Sequence, residues 1–131
     1  ATNSGGGIFN TISSSPVLTN CILWGDSPTE ITSSSSVPVV TYSDVQGGYT
    51  GVGNINLDPL FVDALNGDFH LTPDSPCIDV GSNAASSLPL YDFEGDARIL
   101  DGNRDGVAIV DMGVDEALWY YTVLPLVVKA D

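Results

Sequence analysis

One ten-residue stretch recurs. Pro16-Val17-Leu18-Thr19-Asn20-Cys21-Ile22-Leu23-Trp24-Gly25 aligns with Pro38-Val39-Val40-Thr41-Tyr42-Ser43-Asp44-Val45-Gln46-Gly47. Pro, Thr and Gly repeat at a step of 22 residues, with Leu18 over Val40 and Leu23 over Val45. Short apolar runs at a constant step, divided by Gly, Ser and Asn turns, mark a solenoid whose coils stack on one another. Glu30-Ile31-Thr32 adds a further short strand between the two copies. No stretch sustains 3.6-residue amphipathicity, which excludes a helical solenoid. Abundant Gly, Ser, Thr, Asn and Val suit strands and turns better than helices. The expectation is an all-β chain built as a short parallel β-helix. Each coil gives one strand to each of two or three parallel sheets.

The period breaks after the second copy. Asn54 to Val62 reads as a short strand and a turn, Asn66-Gly67-Asp68 as a tight turn, and Phe69-His70-Leu71-Thr72 as the start of another strand. Asp63, Asn66 and Asp68 have the oxygens for a cation, but residues of these types make turns unaided, and a turn that binds nothing is the preferred reading. His70 has no Cys, second His or Ser beside it and is read as a strand residue. Gly5-Gly6-Gly7 has no helix after it, so it is a corner or linker before the remnant of an earlier coil, and not a phosphate cradle. Trp24 is assigned to packing at a coil corner.

Asp101-Gly102-Asn103-Arg104-Asp105-Gly106 is the chain's chemical signature. Asp, Asn and Asp at alternate positions, followed by a Gly that lets the backbone reverse, place three oxygen side chains inside one loop. This is the first half of a calcium loop, and calcium is a hard cation that takes six to eight oxygens. The candidate ligands are Asp101, Asn103, Asp105, Val107 through its carbonyl, and Asp111. An EF-hand would carry Glu at loop position twelve, where this chain has Met112, with Asp111 one residue early. Val107-Ala108-Ile109-Val110 therefore reads as a short strand and not as an exiting helix. Around the loop stand Asp92, Glu94, Asp96, Asp115 and Glu116, against only Arg98 and Arg104. Such a cluster repels itself unless cations bridge it. A metal here would hold the fold together more than it would do chemistry.

Charge narrows the partners. The 131 residues carry a formal −14, with three Lys and Arg in all, which argues against nucleic acid and against anionic membrane surfaces. No apolar run approaches the roughly 20 residues that span a bilayer. Cys21 and Cys77 lack metal spacing; buried small apolar residues are the preferred reading, with a disulfide as the alternative. Weak calcium sites belong outside the cell, so the expected location is extracellular or at the cell surface. Three segments make up one compact domain: coils over 1–91, an irregular acidic calcium-binding loop region over 92–116, and an apolar C-terminal β-strand over 117–131. That last strand, Leu118 to Lys129, is apolar on both faces and either caps the last coil or adds to a neighbour's sheet. Pro125 confines it to an edge or a strand end.

Gly5 to Asn10, Thr19 to Gly25, Tyr42 to Gly48, Asp58 to Asp63 and Ser75 to Gly81 together resemble the final coils of bacterial right-handed parallel β-helix surface proteins, pectate-lyase-like in fold and of the choice-of-anchor type. Asp101 to Gly113 resembles the end of that module, and the resemblance covers roughly residues 5 to 116. It implies a right-handed β-helix in an adhesin or surface structure. Such proteins run for hundreds of residues before this point, whereas this chain has about three coils. The first functional expectation is a structural, self-assembling extracellular protein, a homo-oligomer or polymer joined through open coil ends and the C-terminal strand and stabilised by calcium. The alternative is the C-terminal module of a larger adhesin or glycan-binding protein, with Trp24, Tyr42, Tyr49 and Trp119 to Tyr121 as rings for sugars. A polysaccharide lyase is the least favoured. Both arginines lie in the acidic segment, and an anionic protein is a poor host for an anionic polymer.

Overall fold

A computed structural model describes residues 6–118. Strands β1 (Ile8–Asn10), β2 (Val17–Thr19) and β3 (Ile22–Leu23) follow one another along the chain, and β4 (Ile31–Ser33), β5 (Val39–Thr41) and β6 (Asp44–Val45) come next. Each strand of the first set pairs in parallel with its counterpart in the second, as β1 with β4, β2 with β5 and β3 with β6. Leu18 faces Val40 and Leu23 faces Val45, so the sequence alignment is also the observed register. The step is 22 residues in the second and third pairs and 23 in the first, where Ile8 faces Ile31. Ile8–Asn10, expected as the remnant of an earlier coil, forms β1 and pairs with β4 just as β2 pairs with β5.

Side chains reinforce the stacking. Thr19 Oγ1 and Thr41 Oγ1 lie 3.2 Å apart, and the Ser43 hydroxyl accepts the Cys21 N–H at 3.1 Å. Corner residues Asn20 and Tyr42 both adopt left-handed backbone, at φ 59° and 47°, and the Asn20 N–H donates to the Tyr42 carbonyl at 3.1 Å. Asn tolerates that conformation because its short polar side chain bonds locally; Tyr has no such help. The fold is all-β, with no α-helix among the described residues, and its sheets are two-stranded. A single parallel bridge from Asp44 to Ile55 extends the third pair by one residue.

Next comes an antiparallel hairpin of β7 (Phe61–Asp63) and β8 (Asp68–Leu71). The expected turn is present as a 3-10 segment over Ala64–Asn66, closed by left-handed Gly67. The Phe61 and Phe69 rings meet edge to face at 5.3 Å. Beyond β8 the described chain contains no strand. Val107 to Val110, expected as one, contributes only a bridge from Ile109 to Leu100. The reason lies in its donors: the Val107 N–H goes to Asp105 Oδ1 and the Val110 N–H to Asn83 Oδ1, which leaves no ladder to join.

The main core lies between the parallel pairs and this irregular half. Leu71, Cys77, Ile78, Met112 and Ala117 pack together, with Ile22, Tyr42, Ile55 and Phe61 against them. Met112, where an EF-hand would place its last ligand, is fully buried in that cluster. Both cysteines are free thiols; Cys77 donates to Asp44 Oδ2 at 3.3 Å and Cys21 to the Thr19 carbonyl at 3.4 Å. Cys77 is buried as expected and Cys21 is half-buried, and the two do not form the alternative disulfide. No described helix is long and apolar enough to cross a membrane. The tail expected as a cap or donated strand lies, from Trp119 onward, outside the described residues.

Two substitutions test this packing. Met112→Ala should cost about 2–5 kcal/mol in urea denaturation, as for other buried large-to-small changes. A Cβ on Gly51 would collide with the Val40 carbonyl oxygen, so Gly51→Ala should also destabilise strongly. Leu65, almost wholly exposed, is the control, and Leu65→Ala should stay within about 0.5 kcal/mol of the parent.

Candidate metal-binding region

The 101–106 loop folds round its own side chains. Asp101 accepts the Asp105 N–H on Oδ1 at 3.1 Å and the Gly106 N–H on Oδ2 at 2.9 Å. Asn103 Oδ1 accepts the same Asp105 N–H at 2.9 Å, and Asp105 Oδ1 accepts the Val107 N–H at 2.8 Å. Gly106 sits at φ 92°, in the left-handed region that favours glycine. Asp79 anchors the loop from the core, taking the Gly102 N–H at 3.2 Å and the Asn103 N–H at 2.6 Å on its two oxygens. Three oxygen side chains are thereby drawn into one turn, a donor set that suits a hard divalent cation. Val107 follows directly and is exposed. Asp111, the fifth candidate, turns into the core, where its carboxylate accepts the Asp79 and Ala117 N–H groups, each at 2.7 Å.

Asp111 belongs to a buried polar network with Glu116 and Arg98. Glu116 Oε1 accepts the Asp111 N–H at 3.0 Å and lies 3.3 Å from Arg98 Nε. That contact has ion-pair length without hydrogen-bond alignment, and Nε has no hydrogen-bond partner. The rest of the guanidinium donates to the Gly113 and Asp111 carbonyls at 2.9 and 3.2 Å. Burial, then the Asp111 charge, pushes the Glu116 carboxyl up to about 8. Burial first, with Asp79 adding to it, raises Asp111 to about 6 despite its two N–H donors and Arg98.

A second cluster was not legible in the sequence. His70 is a strand residue as expected, in β8, but the strand carries its ring into a group of acids. Its Nδ1 lies 2.5 Å from Asp68 Oδ1, and its Nε2 lies 3.1 Å from Glu94 Oε2 and 4.0 Å from Asp115 Oδ1. Bonds to Asp68 and then Glu94 raise the imidazole to about 9. Asp68 is thus committed to His70 and not to the second cation site considered with Asp63 and Asn66. Those two bond each other instead, from Asn66 Nδ2 to Asp63 Oδ2 at 2.7 Å. Glu94 is placed by Asp92, whose Oδ1 accepts the Glu94, Gly95 and Asp96 N–H groups and whose Oδ2 accepts that of Glu116. Burial alone would raise Asp92, but these backbone donors outweigh it and hold the carboxyl below its ordinary value.

The buried carboxyls fix a pH dependence. Glu116 and Asp111 hold protons more tightly folded than unfolded, so their contribution is complete below the ordinary values of 4.5 and 3.8. It is lost as pH rises through about 6 and about 8. His70 acts in the same sense between 6.5 and about 9. Asp68 and Asp92, both lowered, act oppositely, but only below about pH 4. The melting temperature of chelator-treated protein should fall from about pH 5 to about pH 8.5, and Glu116→Gln should flatten that slope.

Comparison with family models, with curated proteins and with solved structures gives no match to the chain.

Proposed function

We propose that this chain is a structural, self-assembling extracellular protein, a right-handed parallel β-helix of few coils whose acidic loop binds calcium through Asp101, Asn103 and Asp105. The observation that carries the reading is the parallel stacking at a step of 22 to 23 residues. The β1–β4 and β2–β5 pairs each have two members among the described residues, so no third strand covers them, whereas β6 is bridged to Ile55. Apolar side chains stand exposed on those two pairs, at Phe9, Val17 and Val39. An unfinished stack of this kind invites a further copy, and a head-to-tail contact that does not close makes a filament or tube. Copies carrying −14 repel one another unless cations screen them, which gives the calcium loop a part in assembly as well as in folding. A role as a lyase base does not suit Arg98, which is buried and bonded to two carbonyls.

One feature favours the second reading, a glycan-binding surface module. A groove of about 590 Å³ runs between Val17–Cys21 and Ala85–Pro89, and the exposed Tyr91 and Phe93 line it. Rings so placed stack on sugars. The aromatics singled out in the sequence serve this less well. Tyr42 packs on the core, the Tyr49 hydroxyl donates to the Pro38 carbonyl at 3.4 Å, and Trp24 lines a separate groove with Phe61 and Phe69.

Electron microscopy of the purified chain, with calcium and then with excess chelator, separates the readings. Ordered fibres or tubes that dissolve on chelation, and that Asp101→Ala with Asp105→Ala prevents, are the expected result. Fibres indifferent to chelator would keep the structural role and reduce the loop to a turn. Dispersed monomers under both conditions would overturn self-assembly and turn attention to glycans at Tyr91 and Phe93.

A further inference from the structure

We propose that His70, Glu94 and Asp115 form a binding site for one zinc-like divalent transition metal ion, separate from the 101–106 loop and independent of whether calcium fills it. One ligand atom from each residue lies within 4.8 Å of the other two. Ligand atoms about 2.0–2.1 Å from a tetrahedral zinc are roughly 3.3 Å apart, so an ion needs only a small inward movement of these side chains. His70 and Glu94 are half-exposed and free to make it. The three line a recess of about 220 Å³ with Asp96 and Glu116, open enough to leave a coordination position for water.

Two features show preparation beyond a chance meeting of acids. The first is the orientation of the imidazole. Asp68 Oδ1 lies 2.5 Å from Nδ1. In the neutral ring that a metal requires, a proton kept on Nδ1 by Asp68 leaves Nε2 on the side of Glu94 and Asp115. A carboxylate on the far nitrogen is the usual support of a metal-bound histidine, fixing the tautomer and raising ligand basicity. The second is Asp115, whose residue is only 5% exposed. The Leu71 backbone N–H, next along the strand from His70, bonds its carboxylate. Its Oδ1 nevertheless faces Nε2 at 4.0 Å, too far for a hydrogen bond. A buried carboxylate oxygen at that distance from an imidazole nitrogen is within about 1 Å of the spacing that two ligands of one zinc ion adopt.

The chemistry of the donors selects the ion. Calcium and magnesium take all-oxygen sets, whereas imidazole with carboxylates suits zinc and its neighbours. The ion would also fasten together three separate pieces of chain: strand β8, the turn held by Asp92, and the segment leading to the buried Glu116. A plain ion pair between protonated His70 and Glu94 is the competing account, and it provides no zinc affinity.

The test uses the full chain, stripped with chelator and then saturated with calcium so that the 101–106 loop is filled. Zinc chloride is titrated in by calorimetry. The expected result is one equivalent bound, with affinity at least tenfold weaker in His70→Gln and in Glu94→Gln and unchanged in Asp101→Ala. Asp68→Asn, which removes only the support of the ring, should weaken binding by about tenfold. His70 is the chain's single histidine, so its imidazole nitrogen signals are assigned without ambiguity, and zinc should shift Nε2 more than Nδ1. Melting curves without zinc establish that each variant is folded. No zinc binding by the parent, or the same isotherm in the parent and a folded His70→Gln/Glu94→Gln double variant, would overturn the site and leave the ion pair.

Discussion

In the half of the protein after β8, carboxylate oxygens do for the backbone what carbonyls do in a sheet. Asp92 alone accepts four backbone N–H groups, Asp79 and Asp101 two each, and Asp111 two more from deep in the core. Buried N–H groups must be bonded somewhere. A chain without regular ladders over this stretch meets that requirement with aspartates. Each is short enough to reach a neighbouring amide, and each fixes the path of the two or three residues around it. The acidity of this region is therefore part of its architecture, and the pale count of strands there is a consequence, not a sign of disorder.

Where such an acceptor is also buried, as Asp79, Asp111 and Glu116 are, charge sits out of the reach of water. A carboxylate that is fully bonded to N–H groups stays ionised comfortably, as Asp92 does with four donors. Glu116 has one amide, a poorly aligned arginine and an anionic neighbour, and it is driven toward its protonated form. Arg98 is the buried cation that makes this corner tolerable, with two carbonyls and Glu116 round its guanidinium. Replacing it would leave Asp111 and Glu116 uncompensated, which is more damaging than the absence of any single surface pair. Protons and one arginine are alternative ways of meeting the same need.

How far the sequence disclosed this follows from the range of the contacts. The repeat was legible because parallel stacking carries the same residue types forward at a constant step, and Leu18 over Val40 needed no knowledge of anything else in the chain. The hairpin turn at Asn66 to Asp68 was legible because turn chemistry is local. The loop at Asp101 to Gly106 was equally local, and its internal hydrogen bonds follow from the alternation of Asp and Asn. Asp111 and His70 were not legible in the same way. Asp111 looked like a far ligand of the loop, yet its bonds go to Asp79, 32 residues away, and to Ala117. His70 looked solitary because Glu94 and Asp115 reach it only through the path that Asp92 imposes. A carboxylate that bends its neighbours leaves no periodic signal. The failed strand at Val107 to Val110 is the same effect, since β propensity lost to side chains that claimed the amides.

Besides the shared core and the Cys77–Asp44 bond, one corner of the repeat joins the two halves, and this bears on how a stack would grow. Asn20 turns the chain between β2 and β3. Its side-chain amide exchanges two hydrogen bonds with Ser82, at 2.7 and 3.1 Å, and its carbonyl accepts the Gly113 N–H at 2.9 Å. Gly81 and Gly113 permit the approach, because a Cβ on Gly81 would meet Asn20 Oδ1 at 2.9 Å and one on Gly113 would meet Ile22 at 2.9 Å. The start of β3 is thus already covered by the acidic half. In the proposed assembly a further copy would meet β1 and β2 with their exposed Phe9 and Val17, while the β3 position would stay internal. Stacking would then proceed from one side of the coil only, and the acidic half, carried beside the stack instead of on its end, would be repeated along the filament wall at every step.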